Sequence, residues 1–166
     1  MAGCSGASSA PTMTYVAPAP TVSTPDSAAA GAATAGQTIG HAMPSAAETD
    51  AAWAARPDFV RSASDRTQEA YAFAIARPDI LDWMPCYCGC VAMDHRNNTD
   101  CYLKPRAEGG PIVFEEHASY CQICVDITLT ARTMTAEGQS PLQVRLAVDG
   151  EFGGSAPGTN TSLPAQ

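Results

Sequence analysis

Between Cys4 and Asp50 the chain has neither lysine nor arginine, and almost every residue is alanine, glycine, serine, threonine or proline. Such a stretch buries too little apolar surface to offset the entropy of ordering its backbone, which excludes a packed N-terminal domain. Residues 1–50 therefore read as a disordered tether, and residues 153–166 as a disordered tail of the same character. Basic charge is scarce everywhere. Nine Lys and Arg face 17 Asp and Glu, for a formal net charge of −8, and all nine lie between Arg56 and Arg145 among acids. No basic footprint exists for a phosphate backbone, so nucleic acid is excluded as a partner. No run of 18 apolar residues occurs, so no segment reads as a spanning helix. There is no C-x-x-C-H string for haem, no G-x-S-x-G or H-E-x-x-H, and no phosphate-binding glycine loop. These absences point to a binding protein rather than an enzyme.

What remains is residues 51–152, roughly 100 residues, small enough to profit from a metal or cross-links. Residues 65–77 predict a helix, with Asp65 and Gln68 as a capping pair and Tyr71, Ala74 and Ile75 as its apolar stripe. Pro78 predicts the start of a second, short helix carrying Ile80, Leu81 and Trp83. Tyr71, Phe73, Ile75, Leu81 and Trp83 are the candidate core. Residues 94–112 carry loop chemistry in Asn97-Asn98, Pro105, Gly109-Gly110 and Pro111. Helical spacing returns from Phe114 to about Thr133. The last segment, from Ser140-Pro141, alternates like a strand but has a capping pair in Ser140 and Gln143 and a stop at Gly150, which favours helix. The expected fold is a small all-α domain with a long cysteine-rich loop, flanked by the tether and the tail.

Six of the seven cysteines crowd into that domain: Cys86, Cys88, Cys90, Cys101, Cys121 and Cys124. On one continuous helix His117, Cys121 and Cys124 fall on a single face, a three-point grip for a soft metal. On an extended chain Cys86, Cys88 and Cys90 face one side, and Gly89 permits a bend that draws their sulfurs together. A bridge between positions two apart is badly strained, so disulfides would pair this group with Cys101, Cys121 and Cys124, in a connectivity left open. His95 stands between the two blocks as a ligand or as a donor orienting a thiolate. Asp94, Asp100, Glu115 and Glu116 read as solvated charges, because hard oxygens suit soft metals poorly. His41, within the tether, reads as uninvolved.

The string Pro85-Cys86-Tyr87-Cys88-Gly89-Cys90 resembles the signature of the PCYCGC-motif, or CYCxC, family of bacterial lipoproteins and secreted proteins. The likeness extends through Tyr71-Ala-Phe-Ala, Arg77-Pro78-Asp79-Ile80-Leu81, His95, Cys101-Tyr102 and His117 to Cys121-Gln-Ile-Cys124-Val-Asp, roughly residues 70–150. The family is mostly uncharacterised. Some members are labelled as possible selenoproteins, which implies redox or soft-metal chemistry at a sulfur position. Met-Ala-Gly-Cys4 resembles the end of a lipoprotein signal, and implies a lipid anchor on Cys4 in a bacterial envelope. The tether would then give a reach of about 35–40 Å.

Three readings follow. The first is a metal-binding module holding copper(I) or zinc through Cys86, Cys88, Cys90, Cys101, Cys121 and Cys124 with His95 or His117, for trafficking, storage or sensing. The second is a structural module stapled by disulfides, with no cofactor. The third is a thiol–disulfide redox protein, which the Cys121–Cys124 pair favours less if it lies well inside its helix.

Overall fold

The computed structural model describes residues 40–165, apart from the side chains of Cys90 and Val91. The tether up to residue 39, with Cys4, lies outside the described residues. The described chain belongs to one compact unit. Its helices are α1 (Ala46–Ala54), α2 (Asp58–Arg61), α3 (Asp65–Ala76), α4 (Pro78–Leu81), α5 (Gln122–Ala136) and α6 (Pro141–Phe152), with short 3₁₀ turns at Cys90–Met93, Thr99–Cys101 and His117–Ser119. Among the described residues there is no strand, only isolated bridges pairing His41 with Arg106 and Leu103 with Phe114. No helix among them is long and apolar enough to cross a membrane. The all-α expectation holds.

Local chemistry explains the helix ends. Ser64 caps α3 by accepting from Thr67 N, one residue ahead of the expected Asp65. Pro78 opens α4 because its missing N–H is needed by no carbonyl there. Ser140 and Gln143 form the expected capping box on α6, but the helix runs through Gly150 to Phe152, whose side chain is buried. α3 and α6 both pack on α5. Tyr71, Ile75 and Leu81 are wholly buried, together with Met84, Tyr102, Ile127, Val144 and Val148. Trp83, expected in the core, is 36% exposed. Tyr71 and Tyr102 meet edge to face, with centroids 5.0 Å apart.

Two expected boundaries shift. α1 begins at Ala46, ahead of the expected domain start, because Ser45 and Glu48 complete a capping box. Just before it His41 is buried, so it is not a bystander. Its Nδ1 lies 2.7 Å from Asp82 Oδ1 and its Nε2 3.2 Å from Asp100 Oδ1, while Arg96 also pairs with Asp100. Asp100 is therefore a buried partner rather than a solvated charge. Burial alone would lower the His41 pKa, but the hydrogen bonds to Asp100 and then Asp82 outweigh it and raise it to about 9.

The contribution of a charge with a raised folded pKa is complete below its ordinary value of 6.5 and is lost as pH rises through about 9. Unfolding free energy should therefore fall by about 1–3 kcal/mol more over that window in the native chain than in His41→Gln. Paired denaturant titrations check this; parallel pH profiles would refute it.

The segment after Phe152 is not a loose tail either. Thr161 Oγ1 donates to Arg96 O at 2.6 Å, and Arg145 Nη1 donates to the carbonyls of Thr161 and Ser162. Composition hid this because the strap is held by its backbone and two threonine hydroxyls, not by an apolar face.

Candidate metal centre

Three elements deliver the sulfurs. Pro85 leads the chain out of the α4 region, and Thr159 clamps Cys86 on both sides: Cys86 N donates to Thr159 Oγ1 at 3.0 Å, and Thr159 N donates to Cys86 O at 3.1 Å. Gly89 then turns with φ 85°, a left-handed conformation that glycine tolerates without strain. Ahead of that turn Cys86 and Cys88 Sγ approach to 3.1 Å instead of lying spread along a strand. Cys101 closes the 3₁₀ turn at Thr99–Cys101. Cys121 and Cys124 come from the start of α5.

The start of α5 corrects the expected continuous helix from Phe114. Glu115 N donates to Tyr102 O and Tyr71 Oη donates to Glu115 O, which ties this backbone to the loop and the core instead of to a helix. His117 sits in its own 3₁₀ turn, and Cys121 is the N-cap residue of α5. The Cys-x-x-Cys pair thus occupies a helix N-terminus rather than a helix interior.

The three segments converge. Cys124 Sγ lies 3.0 Å from Cys121 Sγ, 3.4 Å from Cys101 Sγ and 3.6 Å from both Cys86 and Cys88 Sγ. Cys86 and Cys101 are 3.6 Å apart. Cys86, Cys101 and Cys124 are wholly buried; Cys88, Cys121 and His117 are half-buried. His117 Nε2 stands 3.4 Å from Cys88 Sγ, and His95 Nδ1 3.4 Å from Cys101 Sγ. The two imidazoles meet edge to face, centroids 5.4 Å apart. Burial, and then the His117 charge, hold His95 below its ordinary pKa, which favours the neutral ring that a ligand requires.

Cys86, Cys101, Cys121 and Cys124 are not joined in disulfides. Cys88 is half of a disulfide whose other half is none of these four. The distances between the described sulfurs exceed a covalent S–S bond of about 2.05 Å. The longer of them, 3.4 and 3.6 Å, come close to the separation of about 3.8 Å that sulfurs adopt around a tetrahedral ion with bonds of about 2.3 Å. Without an ion the nest shares protons. Hydrogen bonds from Cys101 and then Cys124 pull the Cys86 thiol down to about 3, and the Cys124 thiol brings Cys121 to about 6. The same contacts, with burial, push Cys124 well above the ordinary thiol value.

Two overlapping groups could hold a metal: Cys88, His117, Cys121 and Cys124, and Cys86, Cys101 and Cys124, each with its ligand atoms within 4.8 Å of one another. The structure thus brings together Cys86, Cys88, Cys101, Cys121, Cys124 and His117 of the expected ligands, with His95 against Cys101. The side chain of Cys90 lies outside what is described. A family model described as a protein of unknown function with a PCYCGC motif matches residues 21–164. The chain belongs to the PCYCGC family. No curated protein and no solved structure matches it.

Sequence reasoning missed the residues that hold the PCYCGC segment in place. Tyr87 Oη donates to Asp149 at 2.7 Å, and Gly158 lies against the Tyr87 ring. A Cβ on Gly158 would stand 2.5 Å from Tyr87 Cε1, and the ring cannot swing away without giving up Asp149. Gly158→Ala should therefore cost about 1–3 kcal/mol, as overpacking does. It should also speed amide exchange at Cys86 and Thr159. Unchanged protection at both amides would show that the strap does not depend on this contact. Tyr102 Oη donates to Cys124 O at 2.8 Å, a second anchor that no sequence pattern announces.

Proposed function

We propose that this PCYCGC protein binds a thiophilic metal, copper(I) or zinc, at the bacterial cell envelope, for trafficking, storage or sensing. The observation that carries this reading is the convergence of five sulfurs and an imidazole from three separate segments into one nest, with four of the sulfurs outside any disulfide. A disulfide staple needs paired sulfurs, whereas here one sulfur adjoins four others. Thiolate and imidazole select copper(I) and zinc over hard ions. The composition of residues 4–39 suits a tether from a lipid anchor on Cys4. The half-buried side at Cys121 and His117, where the exposed Tyr120 ring packs on His117, supplies the route by which an ion enters and leaves.

Reduced protein under argon, titrated with zinc and with copper(I) against chromophoric chelators, tests this. Withdrawal of either metal from a chelator of nanomolar affinity is expected. Failure to withdraw either would refute the reading.

A second reading is favoured by Cys121 at the N-cap of α5 with Cys124 three residues on, Sγ atoms 3.0 Å apart. This pair could close into a disulfide, passing two electrons and two protons to a partner disulfide and leaving it as two thiols. Mass mapping of metal-free protein equilibrated in glutathione buffers would show the Cys121–Cys124 bridge in oxidising mixtures. A dithiol that persists in all of them removes this alternative.

A further inference from the structure

Resting on the metal reading, we infer that the nest is built for two thiophilic divalent ions that share the Cys124 thiolate as a bridge. Cys124 belongs to both candidate ligand groups, and it adjoins Cys121 and Cys88 on one side and Cys101 and Cys86 on the other. One tetrahedral ion takes about four donors. If it takes Cys88, His117, Cys121 and Cys124, it leaves Cys86, Cys101 and His95 unused, in a pocket where Cys86, Cys101 and Cys124 have no solvent access. Two tetrahedra sharing one corner need about seven donors, and the nest supplies five sulfurs and two imidazoles.

Charge argues the same way. Five thiolates around one divalent ion leave an excess of about three negative charges in a buried site, a heavy desolvation burden. A second ion cuts that excess to about one. The outer ion takes His117, Cys121 and Cys124, with Cys88 joining once its disulfide is reduced. A phosphine does this with one water, which leaves two thiols and the phosphine oxide. The inner ion takes Cys86, Cys101 and Cys124, with His95 beside Cys101 as the remaining donor. The residue of the bridge is anchored through its backbone too: its carbonyl accepts from Tyr102 Oη and from Asn98 Nδ2.

Cadmium-113 is the probe. Phosphine-reduced full-length protein, freed of phosphine and loaded with ¹¹³Cd(II), is expected to saturate at two equivalents. It should give two resonances in the thiolate region, split by scalar coupling through the shared sulfur. Cys121→Ser should shift the outer resonance and leave the inner one within its linewidth. His95→Ala, a milder change that spares every sulfur, should shift only the inner one. Saturation at one equivalent with a single resonance would overturn the bridge while leaving the metal reading standing. Two resonances without coupling would overturn the shared ligand. No cadmium bound would sink the metal reading itself.

Discussion

Stripping metal from the reduced protein should lower its melting temperature by about 20 °C or more. The loop from Cys86 to Cys101 and the turn before α5 have little regular structure to hold them, and their sulfurs meet in the buried nest. In the metal-free state Cys86, Cys101 and Cys124 are close and desolvated, a costly arrangement that an ion relieves. Structural zinc sites contribute about 10–16 kcal/mol of binding free energy, which appears as folding free energy when the unfolded chain does not bind. Even half of the lower figure is about 5 kcal/mol, and at about 4 °C per kcal/mol for a domain of this size the shift is large. Differential scanning calorimetry of loaded and chelator-treated protein, both reduced, reads it directly. Curves within a few degrees of each other would mean that the sulfurs hold nothing that stabilises the fold.

Replacing Arg145 should be the most damaging single change away from the sulfurs. Its guanidinium is almost wholly buried. Nε donates to both Asp149 carboxylate oxygens, and Nη1 donates to the carbonyls of Trp83, Thr161 and Ser162. One side chain thus joins α6, the chain leading into Pro85-Cys86 and the C-terminal strap that clamps Cys86. Arg145→Ala leaves those carbonyls without their donor and Asp149 without its ion-pair partner, at a cost of about 3–5 kcal/mol. Arg145→Lys should recover only a fraction, because a point charge cannot address both the carboxylate and three carbonyls. Because Thr159 would also lose its footing, metal release to a chelator should speed up by about tenfold. Denaturant unfolding and stopped-flow chelation are the two readouts. A loss below about 1 kcal/mol would show that the strap docks without the arginine.

The parts of the fold legible in the sequence are those written in local code. Pro78 and the Ser140–Gln143 pair each name a helix start, and the structure has helices there. Ser45 and Glu48 carried the same signal for α1, overshadowed by the composition around them. The sulfur constellation was legible as chemistry because so many soft ligands in 39 residues have few uses.

What was not legible depends on distant partners. The spacing of His117, Cys121 and Cys124 suits one helix face, yet Tyr71 and Tyr102 hold Glu115 in a non-helical backbone, so α5 starts only after Cys121. The residues still converge, but from a turn and a helix end. His41 looked like a tether residue because its partners, Asp82 and Asp100, lie 41 and 59 positions away. The strap looked loose because backbone hydrogen bonds leave no mark on composition.

The most direct test of the metal account is native mass spectrometry of protein purified without reductant, combined with thiol alkylation before and after chelation and unfolding. The account predicts bound zinc or copper, with Cys86, Cys101, Cys121 and Cys124 alkylated only once the metal is withdrawn and the chain unfolded. A metal-free mass in which none of these four can be alkylated even after unfolding would contradict it, and would make the six clustered cysteines of the domain a disulfide framework.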